Sequence, residues 1–271
     1  IFLDSSKWSE SITEGNKKAA EFLERPGIQI KFDNPKTTTH SKTVIIDNRI
    51  IYLGSSNWNY PTYVETYQSN IRIESKVIAK ELAHFFNYLW EGKTMKIITP
   101  PWDLTSSGII PLLNTNDSRS YLQAVEKLIE KAKSTIRIAM YRIGYYPKFE
   151  NSPSNSLLNK LIKAREEGVK VYVLLDKSDW SENTNELNKE SAWWLKINGI
   201  KVRFDQPEHD THTKLITVDS KHLIIGSTNW TYYSLAENNE TDLLLTNMPE
   251  IVTTYVLFFR DLWKKSTPVT K

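Results

Sequence analysis

THSKTVIID (39–47) and THTKLITVD (211–219) are two copies of one pattern, 172 residues apart. GSSNW (54–58) returns as GSTNW (226–230) at the same offset. Upstream, GIQIKFDNP (27–35) matches GIKVRFDQP (199–207), and DSSKWSE (4–10) matches DKSDWSE (176–182), with no change of offset. Near the ends, FFNYLW (85–90) matches FFRDLW (258–263), the offset having grown by one. A repeat this long and this regular divides the chain into two homologous halves, and that division governs every later reading of the fold.

The second half reads as alternating helices and strands. SYLQAVEKLIEKAK (120–133) carries apolar positions at helical spacing, and TIRIAMYRI (135–143) is strand-like. SLLNKLIKAREEG (156–168) is helix-like, VKVYVLL (169–175) has the pattern of a buried strand, and a helix is expected around Glu186–Ile197. IKVRFD follows, and TKLITVD is separated from HLIIGS by a short turn. The fold class is therefore α/β, built of two similar halves. The first half joins this pattern only at its equivalent of residue 173, so an opening helix–strand–helix unit of roughly 50 residues is missing from it. Either the chain continues upstream of Ile1, or the sheet of the first half is completed by something else. The boundary is expected in 94–118, where Pro100, Pro101, Gly108 and Pro111 interrupt every periodic pattern. Placing it near 105 gives halves of 1–105 and 106–271.

Both halves carry His, any residue, Lys, four residues, Asp, six residues, then Gly-Ser-x-Asn. The first set is His40, Lys42, Asp47, Gly54, Ser55 and Asn57; the second is His212, Lys214, Asp219, Gly226, Ser227 and Asn229. Residues two apart on a strand face the same way, so each half presents an imidazole and an ammonium together. Two such strands related by pseudo-twofold symmetry would make a pocket of two imidazoles and two positive charges, suited to a phosphate. Asn57 and Asn229 can donate to phosphoryl oxygens. Gly54 and Gly226 would permit a close turn. Ser55 and Ser227 are expected to bond either substrate phosphate or a motif aspartate, whereas Asp47 and Asp219 are given a structural place or one behind the catalytic groups. Trp58 and Trp230 could stack on a base, but packing is the commoner use of such aromatics. His84, His209 and His222 have no histidine at the equivalent repeat position and are read as structural.

Composition excludes several classes. The 271 residues contain no cysteine, which removes disulfides, thiolate metal sites and cysteine nucleophiles together. Hydrophobic residues make up 39% and charged residues 25%, and no apolar run approaches the roughly 20 residues of a membrane-crossing helix. The net charge of +3 permits an anionic substrate. No cluster with metal-ligand spacing accompanies the motif, so no metal or other cofactor is expected.

The doubled motif resembles the signature of the phospholipase D superfamily over most of the chain. The resemblance implies one active site at the interface between two α/β halves, with one histidine attacking phosphorus and the other serving as acid and then base. It also implies that a side chain 28 residues beyond each motif histidine orients the histidine of the opposite half. Those positions hold Gln68 and Glu240, so Glu240 would hold His40 and Gln68 would hold His212. In using these two positions the chain looks like the tyrosyl-DNA phosphodiesterase branch. That branch lacks the motif aspartates, which bring this chain nearer to bacterial-type nucleases and phospholipases D. A carboxylate favours the positive charge that grows on an attacking imidazole, which makes His40 the expected nucleophile and His212 the acid. The expected activity is metal-independent phosphodiester hydrolysis through a phosphohistidine. Nucleic acid is the first substrate reading, phospholipid hydrolysis or phosphatidyl transfer the second, and an inactive phosphate-binding protein the third.

Overall fold

Ser9 and Ser181, equivalent by the repeat, each cap a helix with the side-chain oxygen, accepting from the backbone N–H of Ile12 and Thr184 respectively. The computed structural model describes residues 1–5, 9–93, 103–178, 181–206 and 210–270. The first half runs β1 (Phe2–Leu3), α1 (Glu10–Leu23), β2 (Lys31–Phe32), β3 (Thr43–Ile46), β4 (Ile50–Gly54), α2 (Tyr60–Val64), β5 (Asn70–Glu74) and α3 (Lys76–Glu91). The second begins with β6 (Gly108–Thr115), β7 (Ser118–Arg119), α4 (Ser120–Lys131), β8 (Thr135–Met140), α5 (Pro153–Glu166) and β9 (Lys170–Leu175). It continues with α6 (Glu182–Ile197), β10 (Lys201–Phe204), β11 (Lys214–Val218), β12 (His222–Gly226), α7 (Tyr232–Ala236), β13 (Glu240–Thr246), α8 (Pro249–Lys265) and β14 (Thr267–Pro268).

The second half is a nine-stranded mixed sheet in the order β14-β10-β9-β8-β11-β12-β13-β6-β7. Its strand β8 lies between β9, which it pairs in parallel, and β11, which it pairs antiparallel. Among the described residues, the first half has no such strand. There β1 pairs only β2, and β3, β4 and β5 form a separate three-stranded sheet, so the repeat's equivalents of β9 and β11 are left unjoined. This is the helix–strand–helix gap expected from the sequence, visible as a break in the sheet. Its consequence is exposure. Ile216, Val218 and Ile224 are buried under the helices of the second half, whereas Ile46 and Tyr52, at the positions of Val218 and Ile224, are exposed.

The opposite face of each sheet is shared. Ile51, Leu53 and Ile73 of the first half pack in one core with Leu223, Ile225, Leu243 and Leu245 of the second, with Leu82, Phe85, Val256 and Phe259 from α3 and α8 completing it. One expectation needs correction: the stretch 94–118 is not irregular throughout. Residues Gly108–Thr115 form β6, paired antiparallel along β13. Pro111 is tolerated there because β7 reaches only Asn114 and Thr115, leaving Pro111 at a sheet edge. Residues 94–102, which include Pro100 and Pro101, and His209 lie outside the described residues.

Candidate active site

Two isolated parallel bridges join the halves, Thr39 to Asn239 and Tyr67 to Thr211, and they are the same contact exchanged by the 172-residue repeat. The backbone N–H of His40 donates to Asn239 O (2.9 Å), and that of His212 donates to Tyr67 O (3.0 Å). Each histidine is thus registered, through its own main chain, against the residue preceding the orienting side chain of the other half. Ser41 and Thr43 meet the Thr241 hydroxyl, and Thr213 meets Ser69, which closes the seam around the site. The histidines themselves precede β3 and β11 rather than lying within them, because their main chains pair across the seam.

That register brings His40 Nδ1 to 2.9 Å from Glu240 Oε2 and His212 Nδ1 to 3.1 Å from Ser55 O and 3.3 Å from Gln68 Oε1. A backbone carbonyl and a carboxylate only accept, so both Nδ1 atoms carry the proton and both Nε2 atoms keep a lone pair. Burial pushes Glu240 up, yet His40, Lys42 and the Ser227 hydroxyl together hold its carboxyl below the ordinary range. Burial lowers both histidines. Glu240 works against that at His40, whereas His212 is pushed well down, with Lys214, Lys42 and His40 adding to burial. These mutual influences show all four motif groups within one electrostatic cluster.

The lysines are held beside their own histidines: Lys214 Nζ donates to His212 O (2.7 Å) and Lys42 Nζ to His40 O. Burial lowers Lys42 to about 8, against the pull of Glu240, Asp4 and Asp242. Lys214 falls well below its ordinary value, first through burial and then through Lys42. Two ammonium groups crowded in a dry pocket favour an anion between them. Asn229 is buried with its Oδ1 unpartnered, and Asn57 is half-buried at the equivalent position.

One expectation fails. Ser55 and Ser227 cannot meet substrate, since both are fully buried with their hydroxyls committed. Ser227 donates to Glu240 Oε2 (2.6 Å) and accepts from Thr241 N, while Ser55 donates to Gln68 Oε1 (2.6 Å) and accepts from Ser69 N. They brace the orienting side chains from behind. Asp219 and Asp47 occupy turn positions. Both stand in the left-handed region at the far ends of their hairpins. Asp219 accepts from the backbone N–H groups of Lys133, Ser134 and Thr135, tying the hairpin to the start of β8; Asp47, whose half lacks that strand, is exposed. Gly54 and Gly226 are required because a Cβ would strike the neighbouring strand, at 2.3 Å from Ser69 O and 2.5 Å from Asp242 Cα.

Sequence reasoning missed Tyr141, whose ring lies 4.6 Å from that of His212 and 4.9 Å from Lys214 Nζ, a cation–π placement. It also missed Asp242, buried and pushed up to about 7 by burial, which accepts from Thr228. Tyr141 lies just after a strand that has no first-half copy, so the repeat carried no signal for it.

The sequence profile described as "Cardiolipin synthase, PLD-like domain" matches residues 1–90 and 125–263. The chain belongs to the phospholipase D superfamily. Members of that superfamily are phosphodiesterases and phospholipid-modifying enzymes. Among superfamily relatives, cardiolipin synthase A of Buchnera aphidicola subsp. Baizongia pistaciae is 25% identical over 256 residues, or 89% of this chain and 51% of that one. The chain thus spans about half the length of that relative. Phosphatidylserine synthase of Haemophilus influenzae superposes with a TM-score of 0.73 at 11% identity, over 99% of this chain and 74% of that structure. Nuc, a phospholipase D family member from Salmonella typhimurium, superposes with a TM-score of 0.51 at 22% identity, over 61% of this chain and all of that one. At these identities the structural likenesses establish the shared fold. Among the described residues, no helix is long and apolar enough to cross a membrane, and no group of three or more His, Asp or Glu side chains could hold a metal ion.

Proposed function

We propose that the protein is a phospholipid-directed phosphodiesterase that cleaves or transfers phosphatidyl groups through a phosphohistidine on His40. The observation carrying the chemistry is the pair of imidazoles with Nδ1 tethered and Nε2 free, between the buried Lys214 and the half-buried Lys42. Lys42 and Lys214 hold the phosphoryl oxygens, with the amides of Asn57 and Asn229 beside them. Nε2 of His40 attacks phosphorus while the bond to the leaving alcohol breaks, and Glu240 stabilises the positive charge forming on the ring. His212 gives its Nε2 proton to the leaving oxygen. Burial and the lysines disfavour that proton in the empty site, and the substrate's own negative charge offsets them, so His212 becomes protonated as the anion binds. In the second step the incoming hydroxyl loses its proton to His212 and attacks phosphorus, the P–N bond breaks, and His40 is released.

The substrate order reverses the one drawn from charge and composition. A net charge of +3 discriminates poorly, whereas likeness to a cardiolipin synthase extends along 89% of the chain and likeness to a nuclease-named structure is one of fold. The test is parallel turnover of phosphatidylglycerol vesicles, cardiolipin vesicles, single-stranded DNA and RNA, with and without glycerol as acceptor. Lipid cleavage or transfer is expected. Turnover of nucleic acid alone would overturn the lipid assignment and leave a nuclease.

A further inference from the structure

Behind each histidine, two carboxylates from neighbouring strand ends converge on one backbone N–H. In the second half, Asp176 follows β9 and Asp205 follows β10; Thr211, directly before His212, donates its N–H to Asp176 Oδ1 (2.8 Å) and to Asp205 Oδ2 (2.7 Å). In the first half, Thr39 directly before His40 donates to Asp4 Oδ1 (3.0 Å) and Asp33 Oδ2 (3.0 Å). Asp4 and Asp33 are the 172-residue equivalents of Asp176 and Asp205. The outer oxygens match as well: Asp205 Oδ1 accepts from Lys177 N (2.7 Å) and Asp33 Oδ1 from Ser5 N (2.7 Å). Nothing in helix or strand formation calls for two carboxylates at one amide, and both halves have built it at the same place.

We propose that Asp176 with Asp205, and Asp4 with Asp33, are positioning residues that fix the main chain entering each histidine, the second-half pair sharing a single proton. Two backbone N–H groups and one hydroxyl do not compensate two buried negative charges, and Asp176 and Asp205 are 0% and 4% exposed. Burial, then the charge of Asp205, pushes Asp176 up, and burial raises Asp205, so the pair holds one proton between its two carboxyls at neutral pH. The remaining oxygen of Asp176 accepts from the Ser178 hydroxyl. Facing the pair are Asp210 on the loop before Thr211, Lys214 on β11 and Tyr141 after β8, and the share of negative charge on Asp176 works to keep Lys214 protonated. Asp4 acts on Lys42 in the same sense. Each pair therefore sets two things at once: where the imidazole starts from, and how readily the adjoining lysine holds its charge.

The two aspartates of the second half are unequal in what they meet: both oxygens of Asp205 accept from backbone N–H groups, whereas one oxygen of Asp176 faces the Ser178 hydroxyl, which can accept in turn. Asp176→Asn can aim its amide NH2 at that hydroxyl and leaves a charge on the pair, so kcat is expected to fall only about threefold on a chromogenic phosphodiester. Asp205→Asn must turn its amide NH2 toward one of two backbone N–H groups and so disturbs the main chain entering His212, and kcat is expected to fall about a hundredfold with KM changing much less. A chromogenic diester keeps this test independent of whether phospholipid is the substrate. Infrared spectra of the wild type should contain, besides the carboxyl band of Asp242, a protonated-carboxyl C=O band that is lost on alkaline titration and is absent from Asp176→Asn. Equal losses of kcat in the two variants would overturn the proposal, as would persistence of the band in Asp176→Asn. Should Asp205→Asn fail to fold, the infrared comparison with Asp176→Asn still decides the shared proton.

Discussion

Lys42 holds a charge where burial works against it. Its folded pKa of about 8 lies below the ordinary 10.5, so between these values the unfolded chain binds more protons and stability rises with pH. Below about pH 8 the buried ammonium weighs against the fold in full. Lys42→Met keeps the aliphatic stem and removes the charge, so at pH 7 the melting temperature should rise and the pH-dependent gain between 8 and 10.5 should vanish. Turnover should fall by about 10²–10³, since the lost charge is aimed at the phosphate in the transition state. Parallel thermal melts and kinetics read both effects, and equal losses of activity and stability would mark Lys42 as structural. The sequence placed His40, Lys42 and their repeats near one another by spacing alone. It could not show Ser227 spent on Glu240, because that bond depends on two strands meeting behind the site.

Trp58 and Trp230 show how one motif acquires two fates from its surroundings. Trp230 is 0% exposed and its indole N–H donates to the Tyr121 hydroxyl of α4 (3.0 Å). Trp58 is 74% exposed, because among the described residues the first half has no helix equivalent to α4 to receive it. The same absence leaves Tyr63 and Val64 of α2 exposed where Leu235 and Ala236 of α7 are buried. Trp230→Ala should therefore cost about 3–5 kcal/mol in denaturant unfolding, and Trp58→Ala no more than about 0.5 kcal/mol. Comparable costs would mean that something covers Trp58 in solution. Elements α4, β8, α5, β9, β10, β11 and β12 were legible from periodicity, as was α6, which begins a turn earlier than expected because Ser181 caps it. Strand β6 was not legible, since Pro111 reads as a breaker until the sheet edge that tolerates it is known. The aspartate pairs lay inside matched repeat segments, yet their convergence needed the ends of two parallel strands to be adjacent.

At the scale of the whole molecule, the repeat supplies symmetry, and at the two histidines the exchange of Glu240 for Gln68 breaks it in charge. Exchanged bridges at Thr39–Asn239 and Tyr67–Thr211 make the two histidines equivalent in backbone, while Glu240 and Gln68 make them unequal in charge. Because Lys42 and Lys214 already supply positive charge at the phosphate, turnover in excess EDTA should equal turnover without it; activity restored only by a divalent cation would refute a lysine-based site. The inequality of the histidines gives the account its central claim, that His40 forms the bond to phosphorus. The most direct measurement is rapid acid-free quenching during turnover of a labelled phosphodiester, followed by mass-spectrometric mapping, with His212→Ala and an activated leaving group used to slow breakdown. The label is predicted on His40. Label on His212 in the wild type would reverse the assigned roles, and no label on either histidine, under conditions that trap a known relative, would contradict the covalent route itself.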